Sequence, residues 1–439
     1  MTDSALIEAL VAHGITTVFV APGVEVAGVR AVALPDERSA AFAAAAAAQV
    51  SGRPGVVLTG GGAGAVAATG PAVAAASAAH LPLLVVSTTA VDAGPADLAG
   101  AFAALRGPMP QPVHVAVGPS GVHSGGDRPL PDAAEIDKAV AEDVAARLTA
   151  AELPLVVLGA GAVEAGLAAA ALAEELGAPI VTTAALKGVI DEGHPLAVGA
   201  AAELAALRPA LTAADAVFVV GDVDLPEPLV RSSTVGADPA AAVAAVLAAL
   251  PLRHARMGVS RAAELRALCR AAWRRDGGRL EELIDALREQ LPDETVIVGD
   301  ASPVTTIGTV PFLQIAGPRR FSAPAVPVRG WALAAAIGVS AARPGTPVAS
   351  VVSAAELLAG AADLAAAGAR RRPLPIVAVD TSEAATVDHA MLAMACDAHG
   401  VRAISPGEVA VAVADAWDTD RPTVVHLDWV LDQVHGAVE

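Results

Sequence analysis

The sequence lacks the features that would make nucleic acid a natural partner. Among 439 residues there is no tyrosine, and aromatic residues account for only 2% of the chain. Stacking platforms for bases need aromatic side chains, and phosphate backbones need a basic patch. Here acidic residues outnumber basic ones, 47 to 28, and the formal net charge is −19. The composition therefore argues against nucleic-acid binding.

Cysteine and long apolar runs are scarce as well. The two cysteines, Cys269 and Cys396, provide neither a disulfide framework nor a metal-ligand spacing. The apolar helical pattern around Cys396 predicts a buried structural thiol. No apolar run reaches the ~20 residues needed to cross a bilayer, and the first residues, MTDSALIEALVAHG, lack the basic segment of a signal peptide. We therefore expect a cytoplasmic protein without a membrane partner.

The chain is rich instead in alanine, valine and leucine, arranged repeatedly as strand, glycine-rich turn and helix. Hydrophobic residues make up 54% of the sequence, and the length suggests about two to four domains. Alternating strands and helices predict parallel sheets covered by helices on both faces. The expected fold class is α/β, with three doubly wound, mainly parallel-sheet domains.

The stretch from Asp36 to Ala76 shows this order most clearly. Ser39–Val50 is an alanine-rich run without a breaker, and alanine is the best helix former. Residues 56–58, Val-Val-Leu, predict a buried strand. The glycines between 60 and 64 allow a tight turn and a close approach of the backbone to a ligand. One carboxylate, Glu37, precedes the helix at a strand-to-helix junction.

This stretch resembles the pyrimidine-binding domain of thiamine-diphosphate (ThDP) enzymes, from Glu37 through the GRPGV segment and the glycine turn to the strand at 81–86. In that family the glutamate hydrogen-bonds the aminopyrimidine ring of the cofactor and promotes formation of the reactive ylid. The resemblance implies that Glu37 is the catalytic residue. The alternative is that Glu37 only stabilises a helix N-terminus, where carboxylates are favourable.

The resemblance also implies ThDP as the cofactor. It would be held by small residues in the turns that follow the strands, because a backbone without bulky side chains can approach a ligand closely. Some members of the family hold a flavin in addition, but we expect none here. The implied cofactor-binding residues are Pro22, Gly23, Gly61, Gly62, Gly64, Gly330 and Ser353.

Residues 153–162 open a second strand–turn–helix block. Its glycines lack the spacing of a dinucleotide-binding fingerprint, so a structural turn is predicted. The segments Glu175–Ala200 and Ala214–Gly221 resemble the central domain of the acetolactate synthase group. By that resemblance Lys187 and His194 belong to the family pattern, with structural rather than catalytic roles.

A third block, with segments at 295–300 and 330–338, resembles the diphosphate-binding domain of the same enzymes. In that family a Gly-Asp-Gly turn and a later asparagine pair hold the Mg²⁺ ion that anchors the diphosphate. Here the turn reads Ser353-Ala354-Ala355, and the asparagine pair falls near Asp380–Glu383. Alanine cannot ligate a metal. We therefore assign no metal ligand, expect no Mg²⁺ site of ordinary strength, and predict weak ThDP binding.

Arg329 is a further departure from the family pattern. It stands where relatives carry the bulky apolar residue that bends the cofactor into its reactive shape. A guanidinium there would repel the positively charged thiazolium ring. The alternative is that Arg329 binds an anionic group in a remodelled cleft.

Shifts in composition along the chain, together with the resemblance to ThDP enzymes, imply five segments. They are a pyrimidine-binding-like domain over 1–118, a linker over 119–132, a central domain over 133–250, a connector helix over 251–277 and a diphosphate-binding-like domain over 278–435. The outer domains are trimmed relative to the family. The missing parts are ones that help close the site over the substrate in relatives.

Three functions remain open at this point. The chain could be an acetolactate-synthase-type enzyme that decarboxylates a 2-oxo acid and transfers the acyl group, with Glu37 activating ThDP. It could be a homologue that has lost ThDP and Mg²⁺ and serves as a structural or regulatory partner, including one that completes the site of an active paralogue. It could act on another ligand. A homodimer or tetramer is expected, because outer domains of this type bury apolar faces over more than ~2,000 Å².

Overall fold

A computed structural model describes residues 4–89, 95–123, 136–225, 230–251, 258–315, 317–380 and 387–428. In these residues the strands form sheets of five, five and six strands and one two-stranded sheet, and every pair of strands is parallel. The predicted α/β fold with three mainly parallel sheets is confirmed. Within the described ranges, no helix combines the length and apolar character that crossing a bilayer would require.

The first sheet is built from the N-terminal part of the chain. Its elements are α1 (Ser4–Ala12), β1 (Thr17–Val20), β2 (Arg30–Ala33), α2 (Glu37–Ser51), β3 (Gly55–Thr59), α3 (Ala63–Ala68), α4 (Gly70–Ala78), β4 (Leu83–Thr88), β5 (Ala96–Asp97), α5 (Leu98–Leu105), β6 (Val113–Val117) and β7 (Val122–His123). The order is β2-β1-β3-β4-β6, and β5 pairs with β7 separately. Strand β3 is buried along its whole length, as its apolar run predicts.

The second sheet follows. Its elements are α6 (Lys138–Ala150), β8 (Pro154–Leu158), α7 (Gly166–Leu176), β9 (Ile180–Thr182), β10 (Ala197–Gly199), α8 (Arg208–Ala213), β11 (Ala216–Val220), β12 (Val230–Arg231) and α9 (Pro239–Ala249). The strand order is β10-β9-β8-β11-β12. Helices α6 and α9 each begin after an aspartate whose carboxylate accepts hydrogen bonds from two backbone N–H groups of the first turn, as N-cap residues do.

The remainder forms the third sheet. Its elements are α10 (Gly258–Arg288), β13 (Val296–Val298), a π-helical turn (Val304–Thr309), α11 (Val310–Phe312), β14 (Phe321–Ser322), α12 (Trp331–Ala342), β15 (Val348–Ser353), α13 (Ala354–Ala359), α14 (Ala361–Gly368), β16 (Leu374–Val379), α15 (His389–Ala395), β17 (His399–Ala403), α16 (Pro406–Ala416) and β18 (Pro422–Leu427). The strand order is β14-β13-β15-β16-β18-β17.

The chain divides into two compact units. One comprises 1–130, 279–309 and 321–439 and contains the first and third sheets, and the other comprises 131–278 and 310–320 and contains the second sheet. The first and third sheets fall into one unit because they share a hydrophobic core. The domain limits expected from the sequence divide the chain more finely and stay a prediction.

Helices α2 and α12 pack closely in that shared core. A Cβ atom at Gly338 in α12 would overlap the carbonyl oxygen of Ala43 in α2. Phe42 and Trp331 form an edge-to-face pair beside this contact, with ring centroids 5.3 Å apart. The alanine-rich runs are therefore a close-packing surface as well as good helix formers.

The described part of the predicted connector helix, residues 258–277, lies in α10, which runs on to Arg288 across a kink, and residues 252–257 lie outside the described residues. Only Gly277 departs from helical geometry, with φ −147° and ψ 31°. Glycine is a poor helix former, so a kink is placed there at little cost. The break separates the predicted connector from the helix at 280.

Cys396 differs from its prediction. It is half-buried at the end of α15 rather than fully buried, and burial raises the pKa of its thiol. Cys269 in α10 is the fully buried thiol, and burial raises its pKa to about 11.

Candidate functional site

Three adjacent strands of the first sheet bring the predicted cofactor-side residues together. Strands β2, β1 and β3 are parallel neighbours, so their carboxyl ends meet at one edge, where ligands bind in open α/β sheets. The residues that follow these strands are called here the pyrimidine-side edge: Pro22, Gly23, Glu37, Gly61 and Gly62.

The glycines of this edge hold special backbone geometry. Gly23 and Gly62 have φ values of 78° and 120°, which disfavour other residues. A Cβ atom at Gly61 would lie 3.0 Å from the carbonyl oxygen of Thr88. Gly64 lies in α3, which begins at Ala63, and not in the turn before the helix as expected, and its role as a cofactor contact stays a prediction.

Glu37 is half-buried at the first position of α2. The capping hydrogen bond of this helix is made by Asp36, whose carboxylate accepts from the Ser39 N–H at 2.7 Å. Across the described residues, the Glu37 side chain makes no hydrogen bond or ion pair. The carboxylate therefore still stabilises the helix dipole but is free to hydrogen-bond a ligand.

A second carboxyl group lies close along the same helix. The Ser39 hydroxyl donates to Asp363 Oδ2 at 3.0 Å. Asp363 in α14 is 1% exposed, and burial raises its pKa to about 7. A group that titrates near neutrality thus contacts the helix that Glu37 begins.

The third sheet has a cavity of about 330 Å³ at the carboxyl ends of β13 and β15. We call it the diphosphate-side cavity. It contains two of the residues predicted for this half of the site, and Gly330 adjoins it. Its lining residues are Asp300, Ala301, Ser302, Pro327, Val328, Arg329, Ser353, Ala355 and Glu356.

Asp300, two residues after the end of β13, is already fully engaged within the protein. Its Oδ1 accepts hydrogen bonds from the N–H and hydroxyl of Ser302 and from the Thr305 hydroxyl, at 2.6–3.0 Å. Its Oδ2 accepts from the N–H and hydroxyl of Ser353, both at 2.9 Å. Hydrogen bonds to a carboxylate are among the stronger ones. Asp300 therefore ties β13 to β15 instead of presenting a free oxygen to the cavity.

Glu356 closes the same cavity from α13. Its two carboxylate oxygens accept from the backbone N–H groups of Gly330 and Ala332, each at 3.0 Å. These N–H groups belong to the start of α12, and a helix N-terminus is a natural anion site. Burial raises the pKa of Glu356, and the neighbouring Asp300 raises it further. The anion position at α12 is thus occupied by a side chain of the protein itself.

Ser353 has a structural role that its prediction as a cofactor contact did not include. It caps α13, accepting from the Glu356 N–H at 3.2 Å while its hydroxyl donates to Asp300. Ala354, buried beside it and placed by the resemblance at the family's metal-ligand position, begins the helix.

These contacts do not fit a Mg²⁺-bound diphosphate. A diphosphate carries several negative charges and needs N–H donors, cations or a metal to neutralise them. Two buried carboxylates, Asp300 and Glu356, line the cavity, and the α12 donors are taken. Arg329 lines the cavity as an exposed cation. One exposed guanidinium does not replace the metal and the free donors.

Asp380, the first residue at the family's asparagine positions, does not line the diphosphate-side cavity. It is 3% exposed and lies 2.9 Å from His426 Nε2 through its Oδ2. The remaining predicted positions there, 381–383, lie outside the described residues.

Lys187 and His194 of the second unit have the contacts of structural residues. The buried Lys187 ammonium donates to both Glu192 oxygens at 2.7 and 2.9 Å. His194 Nε2 lies 2.9 Å from Glu174 Oε1. Within unit two, Glu192 also accepts from the Ile315 N–H at 3.0 Å.

The sequence analysis missed Asp300, Glu356 and Asp363. One local signal existed for Glu356, because Ser353-x-x-Glu356 has the capping-box pattern that marks a helix start. In the folded protein the Glu356 carboxylate turns instead to α12. No local pattern points to Asp363, whose partner lies in α2.

Sequence comparison finds two matching family models. The model described as thiamine pyrophosphate enzyme, N-terminal TPP binding domain, matches residues 2–94, and the model described as thiamine pyrophosphate enzyme, central domain, matches residues 141–246. A probable 2-ketoarginine decarboxylase of Pseudomonas aeruginosa is 28% identical over 449 residues, covering 83% of this chain and 78% of that protein.

Solved structures agree on the fold. A protein of Mycobacterium smegmatis assigned as a thiamin diphosphate-dependent enzyme superposes with a TM-score of 0.78 at 20% identity, covering 96% of this chain and 98% of that one. The thiamine diphosphate-dependent 4-hydroxybenzoylformate decarboxylase of Rhodococcus jostii RHA1 superposes with a TM-score of 0.77 at 19% identity, covering 98% of this chain and 99% of that one.

Proposed function

Because the chain belongs to the thiamine-diphosphate enzyme family, we propose that it is a partner subunit that contributes Glu37 to a site shared with an intact homologue. Its own diphosphate half does not hold Mg²⁺-bound ThDP. The observation that carries the proposal is the contrast between Glu37, which has no protein partner among the described residues, and Glu356, which occupies the anion position of α12.

The pyrimidine-side edge supports the first part. Asp36 supplies the helix cap, so Glu37 is not needed for that bond. Gly61 and Gly62 keep the backbone open after β3. When ThDP is bound, such a glutamate would hydrogen-bond its aminopyrimidine ring, and ThDP itself would supply the carbanion chemistry.

The diphosphate-side cavity supports the second part. Without the metal, a diphosphate would rely on helix dipoles, each worth only ~0.3–1 kcal/mol when partly exposed. Here even those donors must first be released from Glu356. Since each 1.4 kcal/mol is a factor of ten in affinity, a deficit of a few kcal/mol weakens binding by about a hundredfold or more.

Calorimetric titration tests the proposal. The chain alone should bind ThDP no more tightly than about 1 mM, and added Mg²⁺ should change this little. A mixture with a homologue that carries the Gly-Asp-Gly turn and the asparagine pair should gain ThDP binding beyond that of the homologue alone. Glu37→Gln should abolish the gain, and Glu289→Gln, at an exposed position, should not. Submillimolar, Mg²⁺-dependent binding by the chain alone would refute the proposal.

Assembly is part of the same proposal. A shared site needs at least two subunits, so light scattering should give at least twice the chain mass of 43.2 kDa. A monomer mass at micromolar concentration, with no complex in the presence of the homologue, would contradict it.

The second candidate is an acetolactate-synthase-type enzyme that decarboxylates a 2-oxo acid and transfers the acyl group. It is favoured by the relative named as a probable 2-ketoarginine decarboxylase, which matches most of this chain. The test is CO₂ release from pyruvate, 2-ketoarginine and 4-hydroxybenzoylformate with ThDP and Mg²⁺. Turnover by the chain alone that is lost in Glu37→Gln would establish this candidate in place of the first.

A further inference from the structure

We infer that Asp380, His389 and His426 form a binding site for a divalent transition-metal ion of the zinc class. Their ligand atoms all lie within 4.8 Å of one another. None of the three lies on the pyrimidine-side edge or lines the diphosphate-side cavity. The inference is therefore independent of the proposed function.

The topology brings the three residues together. His426 lies in β18 opposite Ala378 of the neighbouring strand β16. Asp380 follows β16 two residues after Ala378, so it shares the face of His426, because side chains alternate along a strand. His389 begins helix α15, which packs on β18.

The distances suit a coordinated ion. His426 Nε2 lies 2.9 Å from Asp380 Oδ2, and the rings of His389 and His426 have centroids 4.8 Å apart at an angle of 65°. Zinc binds nitrogen and oxygen at ~2.0–2.2 Å, which places tetrahedral ligand atoms roughly 3–4 Å from one another. Small side-chain rotations bring this set into that range.

A second observation, independent of these distances, concerns the buried ring nitrogens of the two histidines. Each of the three residues is 3% exposed. Among the described residues, neither nitrogen of His389 nor Nδ1 of His426 makes a well-formed hydrogen bond, although the backbone of Ala354 lies close to the His389 ring. Buried polar atoms normally have one, and a cation would supply the missing partner to the lone pair of an imidazole nitrogen.

The ligand types select the class of ion. Mg²⁺ and Ca²⁺ prefer oxygen ligands, whereas two imidazoles with one carboxylate suit Zn²⁺, Co²⁺, Fe²⁺ or Ni²⁺. By the resemblance, the family's metal positions are Ala354, which offers no ligand here, and the asparagine positions that begin at Asp380, so the two histidines are what distinguish this site. The ion would cross-link β16, β18 and α15, and a water would complete a tetrahedral set of four ligands.

The test uses the full chain, stripped with EDTA and titrated with Zn²⁺ alone and with Co²⁺ alone. One equivalent of Zn²⁺ should bind with a Kd below about 1 μM. Co²⁺ should give visible d–d absorption bands, and saturation with Zn²⁺ should raise the melting temperature by several degrees. Absence of stoichiometric Zn²⁺ binding would overturn the inference.

Single-residue variants test where the ion binds. His389→Gln and Asp380→Asn, both close in size to the native residues, should weaken Zn²⁺ binding at least about 100-fold. His399→Gln, at an exposed histidine of β17, should leave it unchanged. Circular dichroism checks that each variant folds, and if neither ligand variant folds, the stoichiometry and the Co²⁺ spectrum of the native chain decide. Unchanged affinity in folded His389→Gln would show that these histidines are only core-packing residues.

Discussion

The pyrimidine-side edge and the diphosphate-side cavity belong to one compact unit but use their polar groups in opposite ways. At the edge, Glu37 has no protein partner among the described residues, because Asp36 caps the helix. In the cavity, Asp300 accepts five hydrogen bonds from protein groups, and Glu356 accepts two from α12. A ligand can use the first set directly, whereas in the second it must displace existing bonds.

The two halves differ in their polar groups and not in their kind of fold, since both are built on parallel sheets. At the position that the resemblance assigns to the family's metal ligand the side chain is Ala354, and two residues along the chain Glu356 supplies the anion that α12 would otherwise bind. Function follows the site and not the fold.

The largest effect is expected from breaking the contact that joins the two halves. Gly338→Ala places a methyl group against the Ala43 carbonyl in the tight α2–α12 packing. Overpacking a protein core typically costs ~1–3 kcal/mol of stability. The cost is larger here, because the added methyl group meets backbone atoms, which cannot move aside as a side chain can. We expect little or no natively folded protein, measured by circular dichroism and urea unfolding.

Gly407→Ala is the matched control, since a Cβ there would meet nothing within 4 Å. It should unfold at the same urea concentration as the native chain. A folded Gly338→Ala variant of native stability would mean that α2 and α12 pack less closely than described.

The next effect is a pH dependence at the junction of the halves. Burial raises the pKa of Asp363 from 3.8 to about 7. Asp36 and Glu356 reinforce the shift, whereas Ser39 and Arg38 oppose it. The folded state therefore binds a proton that the unfolded state has released over this range of pH.

The contribution of Asp363 to the free energy of unfolding is complete below pH 3.8 and falls as the pH rises to about 7. The loss is on the order of 4 kcal/mol, and Asp363→Asn should remove it. Urea unfolding at pH 4.5 and 7.5 measures the difference between native and variant chains, with Asp415→Asn as an exposed control. An unchanged pH dependence in Asp363→Asn would show that another group is responsible.

The smallest effect is expected from substitutions of Glu356 in the diphosphate-side cavity. Glu356→Ala leaves the N–H groups of Gly330 and Ala332 without their acceptor. We expect a loss of roughly 2 kcal/mol in unfolding free energy, and less than about 1 kcal/mol for Glu356→Gln, which keeps one acceptor. The alanine variant should also bind inorganic pyrophosphate more tightly than the native chain, by calorimetry. Equal stability and equal pyrophosphate affinity would show that Glu356 does not block the anion position.

Much of the fold was predictable because its signals are local. The apolar run of β3 and the alanine-rich α2 are visible in a few consecutive residues, and the glycines after β3 mark the edge where Glu37 lies. The resemblance also predicts that a metal ligand is missing at Ala354, because alanine offers no ligand atom. The capping-box pattern formed by Ser353 and Glu356 predicts the start of α13.

The sequence by itself determined the α/β class and the family, and its resemblance to that family predicts that the usual metal ligand is missing. Only the tertiary structure decided that Glu356 accepts hydrogen bonds from the start of α12, which lies 24 to 26 residues earlier in the chain. It also decided that Asp300 accepts a hydrogen bond from Ser353, which lies 53 residues later. The same holds for His426 and Asp380, separated by 46 positions. The physical reason is that helix and strand periodicity act over a few residues, whereas partners of this kind are chosen by how whole strands and helices pack.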